Sequence, residues 1–163
     1  MKINNQQTAI ISNDRVYSYQ ELQKASDIIA FQLLKNKTDL SETRVAFMIE
    51  PDFDYVAVQW GIWKSGGVAV PLCVSYPLDS LVYVLADTET EIIIVSPAFE
   101  GVLKDYSFEK NIRFMVLGNE YIKNEIALPK IESSRNAMIL YTSGTTNLPK
   151  GFEIGMGCYN ALW

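Results

Sequence analysis

Thr142, Ser143, Thr145 and Thr146 put four hydroxyl side chains within five positions, with Gly144 among them and Asn147-Leu148-Pro149-Lys150-Gly151 directly after. Loop hydroxyls and free backbone N–H groups are the groups that hold phosphate oxygens, and a lysine adds a point charge. The chemistry these residues suit is the gripping of a nucleotide's phosphates. The stretch is not a Walker A loop. Pro149 stands where that pattern has the glycine before its lysine, and Gly151 replaces its Ser/Thr. Composition alone would favour a Ser/Thr/Gly-rich surface turn. The apolar run from Ala137 to Tyr141 reads as a buried strand that delivers the loop and fixes its position.

The composition removes other chemistries. The chain of 163 residues holds no histidine, so Ser-His-Asp and Cys-His catalysis, histidine metal sites and a histidine general base are excluded. A net charge of −5 without a basic block argues against a nucleic-acid or anionic-membrane surface. Cys73 and Cys158 match no zinc or redox spacing and are expected as thiols in a reducing cytoplasm. Asp52, Asp54, Asp87 and Glu89 each fall at an expected helix end, where capping and solvation explain a carboxylate, so no metal ligand is assigned. Met1–Gln7 lacks the apolar core of a signal peptide. Val56–Val74 is interrupted by Gln59, Lys64 and Ser65 and punctuated by Gly66-Gly67 and Pro71, so it reads as a buried helix, a turn and a strand, with no membrane span.

The elements that must position the loop follow from periodicity. Ala9–Ile11 and Arg15–Tyr19 around Asn13-Asp14 predict a hairpin. Ser18 and Glu21 have the spacing of a capping box for a helix from Tyr19 to about Asn36, with Leu22, Ala25, Ile29 and Leu33 on its apolar face and Ile28 and Leu34 at the margins. A strand is expected over Arg44–Ile49 and a helix over Phe53–Ser65, closed by Gly66-Gly67 with a left-handed residue. Val68–Leu72 is a strand and Leu78–Asp87 a helix. Glu91–Ser96, rich in β-branched residues, is a strand buried on both faces. A short helix over Phe99–Tyr106, a strand over Arg113–Leu117 and a polar connection over Gly118–Ser134 complete the series. The alternation predicts an α/β fold, a layered sheet with mainly parallel strands and flanking helices. Ligands in such sheets sit beyond the carboxyl ends of the strands, where the Thr142–Gly151 loop falls.

The order Tyr141-Thr142-Ser143-Gly144-Thr145-Thr146-Asn147-Leu148-Pro149-Lys150-Gly151 resembles the signature of the adenylate-forming (AMP-binding) superfamily, with Asn147 in place of a glycine. Asparagine tolerates left-handed backbone angles better than most residues, so the loop shape is expected to survive. Tyr17-Ser18-Tyr19-Gln20-Glu21-Leu22, Trp60–Leu72, and Tyr76-Pro77 with Leu81, Tyr83, Leu85 and Asp87 are similar to its upstream segments. The wording is nearest to acyl-CoA synthetases of the malonyl-CoA or fatty-acyl-CoA branches. Trp60 and Trp63, three apart on one helix, suit a core or partner-facing role better than an acyl pocket.

The resemblance implies a two-step ligase. A carboxylate attacks the α-phosphorus of ATP, giving an acyl-adenylate and pyrophosphate, and the thiol of coenzyme A then takes the acyl group, with Mg²⁺ neutralising phosphate charge. It also implies that Thr142, Ser143, Gly144, Thr145 and Thr146 hold the β- and γ-phosphates while Lys150 steadies the loop. No catalytic residue is assigned, because the family's catalytic lysine belongs to a separate C-terminal domain. Residues 1–151 are read as a partial N-terminal AMP-binding domain and 152–163 as a divergent tail lacking the family's next segment. The chain is therefore expected to be an amino-terminal fragment, inactive alone and able to self-associate. The alternatives are a non-catalytic relic or interaction module, or a fragment of a peptide-synthetase adenylation domain.

Overall fold

A computed structural model of the chain describes residues 6–118, 127–142 and 150–158. In chain order the elements are β1 (Thr8–Ser12), β2 (Arg15–Ser18), α1 (Tyr19–Leu34), β3 (Arg44–Met48), α2 (Phe53–Lys64), β4 (Val68–Pro71), α3 (Leu78–Asp87), β5 (Ile92–Val95), α4 (Glu100–Glu109), β6 (Arg113–Val116), β7 (Asn136–Thr142) and β8 (Lys150–Gly155). β1 and β2 form a separate antiparallel pair, and the other six strands form one sheet in the order β6-β5-β3-β4-β7-β8. The first five of these run parallel, and β8 returns antiparallel to β7. This is the layered, mainly parallel α/β sheet expected from the sequence.

The sheet separates two cores because side chains alternate across a strand. Val45, Phe47, Ile92 and Ile94 face α1 and α2, while Ala46, Val70, Ile93 and Val95 face α3 and α4. Burial on both faces explains the unbroken β-branched run of β5. The β1–β2 hairpin docks on this body by stacking Tyr17 on Phe53, with ring centroids 4.1 Å apart.

Local signals behave as their chemistry requires. The capping box at α1 is complete: Ser18 Oγ accepts from the Glu21 N–H, and the Glu21 carboxylate accepts from the Ser18 N–H at 2.8 Å. α2 ends in a Schellman turn, with the Gly66 N–H bonded to the Trp63 carbonyl and the Gly67 N–H to the Ile62 carbonyl. Gly66 adopts φ +81°, a conformation that side chains rarely adopt, and a Cβ there would press on the Asp39 carboxylate, so the turn favours glycine.

Several boundaries differ from expectation. α1 stops at Leu34 instead of about Asn36, because Lys35 turns to φ 50° and donates its N–H back to the Phe31 carbonyl. Of the two marginal residues, Leu34 is fully buried and Ile28 is 38% exposed. α4 runs to Glu109, three residues beyond the expected Tyr106, and opens with a 3₁₀ turn over Pro97–Phe99. Within the polar connection, residues 119–126 lie outside the described residues, and 127–135 form no helix or strand. The main correction is β8: Lys150 and Gly151, expected within a loop, begin a strand.

Candidate phosphate-loop site

β7 and β8 make the neck of the predicted phosphate loop. Thr142 and Lys150 are cross-strand partners, as are Tyr141 and Gly151. Both Thr142 and Lys150 are exposed. Ser143, Gly144, Thr145 and Thr146 lie outside the described residues. Because β7 runs parallel to β4, Thr142 emerges at the carboxyl end of the sheet, the end at which α/β folds place ligands. Antiparallel pairing brings the lysine and the first hydroxyl of the motif, eight positions apart in sequence, to the same end of the hairpin.

Side chains from other elements hold β7 in place. Among the described residues β7 pairs with β4 only at Ala69↔Met138. At its amino end the Asn136 N–H donates to Glu42 Oε1 at 2.7 Å. Next to it, Arg135 donates to both carboxylate oxygens of Asp39, at 2.9 and 2.7 Å. That bidentate bond holds the Asp39 carboxyl below the usual range and raises Arg135 further. Trp63, only 1% exposed, donates Nε1–H to the Ala137 carbonyl at 2.7 Å. Trp60 and Trp63 therefore serve the core, and Trp63 also ties β7 to α2.

At the carboxyl end Tyr141 donates its hydroxyl to Asp87 Oδ2. Burial first, and this bond second, raise the Tyr141 pKa, so the hydroxyl remains a donor. Asp87 ends α3, as expected, and its carboxylate accepts from the tyrosine. Asp52 does cap α2, accepting from the N–H groups of Asp54 and Tyr55. Asp54 has its pKa raised by burial, then by the nearby Asp52 and Glu50 charges. Glu89 pairs with Arg44 at 2.9 Å.

Sequence reasoning missed β8 as the return strand, Asp87 as the tyrosine's acceptor, and the ties of Glu42, Asp39 and Trp63 to the start of β7. For β8 the usable signal is the alternation Phe152-Glu153-Ile154, which has strand period. For Asp87 there is no local signal, since it lies 54 residues from Tyr141.

The exposed hydroxyl and lysine suit an anion. They do not make a cation site, and among the described residues no three of His, Cys, Asp or Glu gather as one. No helix among the described residues is long and apolar enough to cross a membrane.

A mainly parallel α/β sheet, with a Thr/Ser/Gly-rich sequence following the carboxyl end of one strand, places that sequence where α/β folds bind ligands. Residues 2–157 match the family model described as AMP-binding enzyme, and the chain belongs to that family. It is 32% identical over 159 residues to the mitochondrial malonate–CoA ligase ACSF3 of Xenopus laevis, covering 90% of this chain and 28% of that protein. It is 34% identical over 149 residues to a plipastatin synthase of Bacillus subtilis (strain 168), covering 90% of this chain and 4% of that protein. The chain thus spans less than a third of the length of these relatives. Its fold matches the ATP-bound RpMatB-BxBclM chimera with a TM-score of 0.81 at 24% identity, covering 98% of this chain and 34% of the chimera.

Proposed function

We propose that this chain is the amino-terminal, phosphate-gripping part of an ATP-dependent acid–thiol ligase of the acyl-CoA synthetase type. In the complete enzyme a carboxylate and ATP give an acyl-adenylate and pyrophosphate, and coenzyme A then takes the acyl group. The observation that carries the reading is the pairing of exposed Thr142 with exposed Lys150 across the neck of the hydroxyl-rich loop. Thr142, Ser143, Gly144, Thr145 and Thr146 hold the β- and γ-phosphates, and Lys150 supplies the compensating charge. The likeness to a malonate–CoA ligase supports a carboxylate of the malonyl or fatty-acyl branches. The peptide-synthetase relative supports the alternative of an amino-acid-activating domain. The exposed Cys73 thiol suits a reducing compartment, and we assign the cytoplasm.

Calorimetry of the 163-residue chain with MgATP tests the reading. Weak binding that depends on the triphosphate and falls in Lys150→Ala is the expected result. No heat with wild type would overturn it in favour of a non-catalytic interaction module. An observation favours that second reading: among the described residues β8 is the sheet edge, and it carries Phe152 at 57% exposure, a surface suited to self-association. Alone, the chain is expected to give no acyl-hydroxamate turnover.

A further inference from the structure

Tyr141 occupies the neck of the hairpin, directly before Thr142. Its ring lies against Gly151 on β8: a Cβ added to that glycine would sit 3.0 Å from the tyrosine Cζ and 3.1 Å from its hydroxyl oxygen. A side chain there would have to push the ring aside by a few tenths of an ångström, so Gly151 leaves the ring its room across the strand pair. The hydroxyl then reaches the last residue of α3, where Asp87 Oδ2 accepts its hydrogen bond at 2.5 Å. A helix C-terminus disfavours a carboxylate, so helix stability does not explain an aspartate at this position. The tyrosine does. With β4 pairing to β7 only at Ala69↔Met138 among the described residues, the carboxyl end of β7 gains its tie to the α3 layer through this side chain.

We propose that Tyr141 is a positioning residue for the phosphate loop. Its ring on Gly151 and its hydroxyl on Asp87 pin the hairpin neck to α3, and so set where Thr142 and Lys150 point. The inference rests on the phosphate-binding reading above. It predicts a residue that touches no phosphate yet governs affinity for one.

Titration calorimetry with MgATP on the 163-residue chain, alongside amide hydrogen exchange at Lys150 and Gly151, tests it. Tyr141→Phe should weaken MgATP binding about tenfold, the scale of one hydrogen bond to a charged acceptor. Asp87→Asn retains an acceptor and should weaken it less. Tyr141→Phe combined with Asp87→Asn should bind no more weakly than Tyr141→Phe alone, because both remove one interaction. Gly151→Ala should displace the ring and mimic Tyr141→Phe, with faster exchange at Lys150. A merely structural tyrosine would lower the thermal midpoint of Tyr141→Phe and leave both MgATP affinity and exchange at Lys150 and Gly151 at wild-type values. That outcome, or additive losses in the double variant, overturns the inference alone. A wild-type chain that binds no MgATP overturns the phosphate reading and the positioning role together.

Discussion

The two halves of the sheet differ in how far continuous backbone ladders, and how far polar side-chain ties, hold them. β3 pairs continuously with β4 from Arg44↔Val68 to Phe47↔Pro71, and with β5 from Val45↔Ile92 to Met48↔Val95. Helices cover both faces there, and the strand residues are buried on both. The β7–β8 hairpin pairs with β4 at one register position, buries Ala137, Met138 and the adjoining Met156 in the core, and adds polar side-chain ties: Glu42 on Asn136, Trp63 on Ala137, Asp39 on Arg135 and Asp87 on Tyr141. Both regions bury apolar residues, but β3 has a continuous ladder on each side while β7 has a short one toward β4 and depends more on polar ties, so the hairpin is expected to open before the inner strands. The candidate site sits on that hairpin. An element held by discrete ties can be tuned residue by residue without unfolding the body that carries it.

Three substitutions test that contrast, beginning with the largest effect. Phe47 is fully buried and meets Tyr55 edge-on at 4.9 Å, so Phe47→Ala should cost about 3–5 kcal/mol. The loss should appear as a uniform fall in denaturant midpoint and in exchange protection across β3, β4 and β5. Protection lost only around Phe47 would break the claim of a cooperative scaffold. Trp63→Phe keeps an aromatic ring but strands the Ala137 carbonyl, at a cost of about 2 kcal/mol. Exchange should accelerate in β7 and β8 before β5, and equal acceleration in both would erase the distinction between the halves.

The smallest effect is a pH dependence. Arg135 holds the Asp39 carboxyl below its ordinary value, so the pair contributes stability that is fully present above the unfolded carboxyl pKa of about 4 and is lost as pH falls through the lowered folded value. Both side chains are about a quarter exposed, which limits the contribution to about 1 kcal/mol. Asp39→Asn should flatten the acid limb of the stability curve and speed exchange at the amino end of β7. An unchanged acid limb would remove this tie from the account.

What could be read in the sequence was local. The capping box at Ser18 and Glu21, the Gly66-Gly67 turn and the β-branched run of β5 lie within a few residues of what they determine. β8 escaped because the dense hydroxyl and glycine composition of the loop ran on into Lys150-Gly151, and the short alternation after it was masked by that signal. The ties on β7 escaped for a different reason. Asp39 and Arg135 are 96 residues apart, and Trp63 and Ala137 are 74 apart. Neither pair leaves a periodic trace, since each depends on where the strand lands against a distant loop or helix.

The sequence by itself therefore determined the α/β alternation, the two-sided burial of β5 and the functional groups available between Thr142 and Lys150. Those follow from side-chain period and functional-group type, which are properties of neighbours in the chain. Only the tertiary structure decided that Lys150 stands opposite Thr142, that Gly151 makes room for the Tyr141 ring, and that Asp87 accepts the tyrosine's hydrogen bond. Those depend on strand register and on the seating of α3 against the sheet, which arise from the packing of the whole domain.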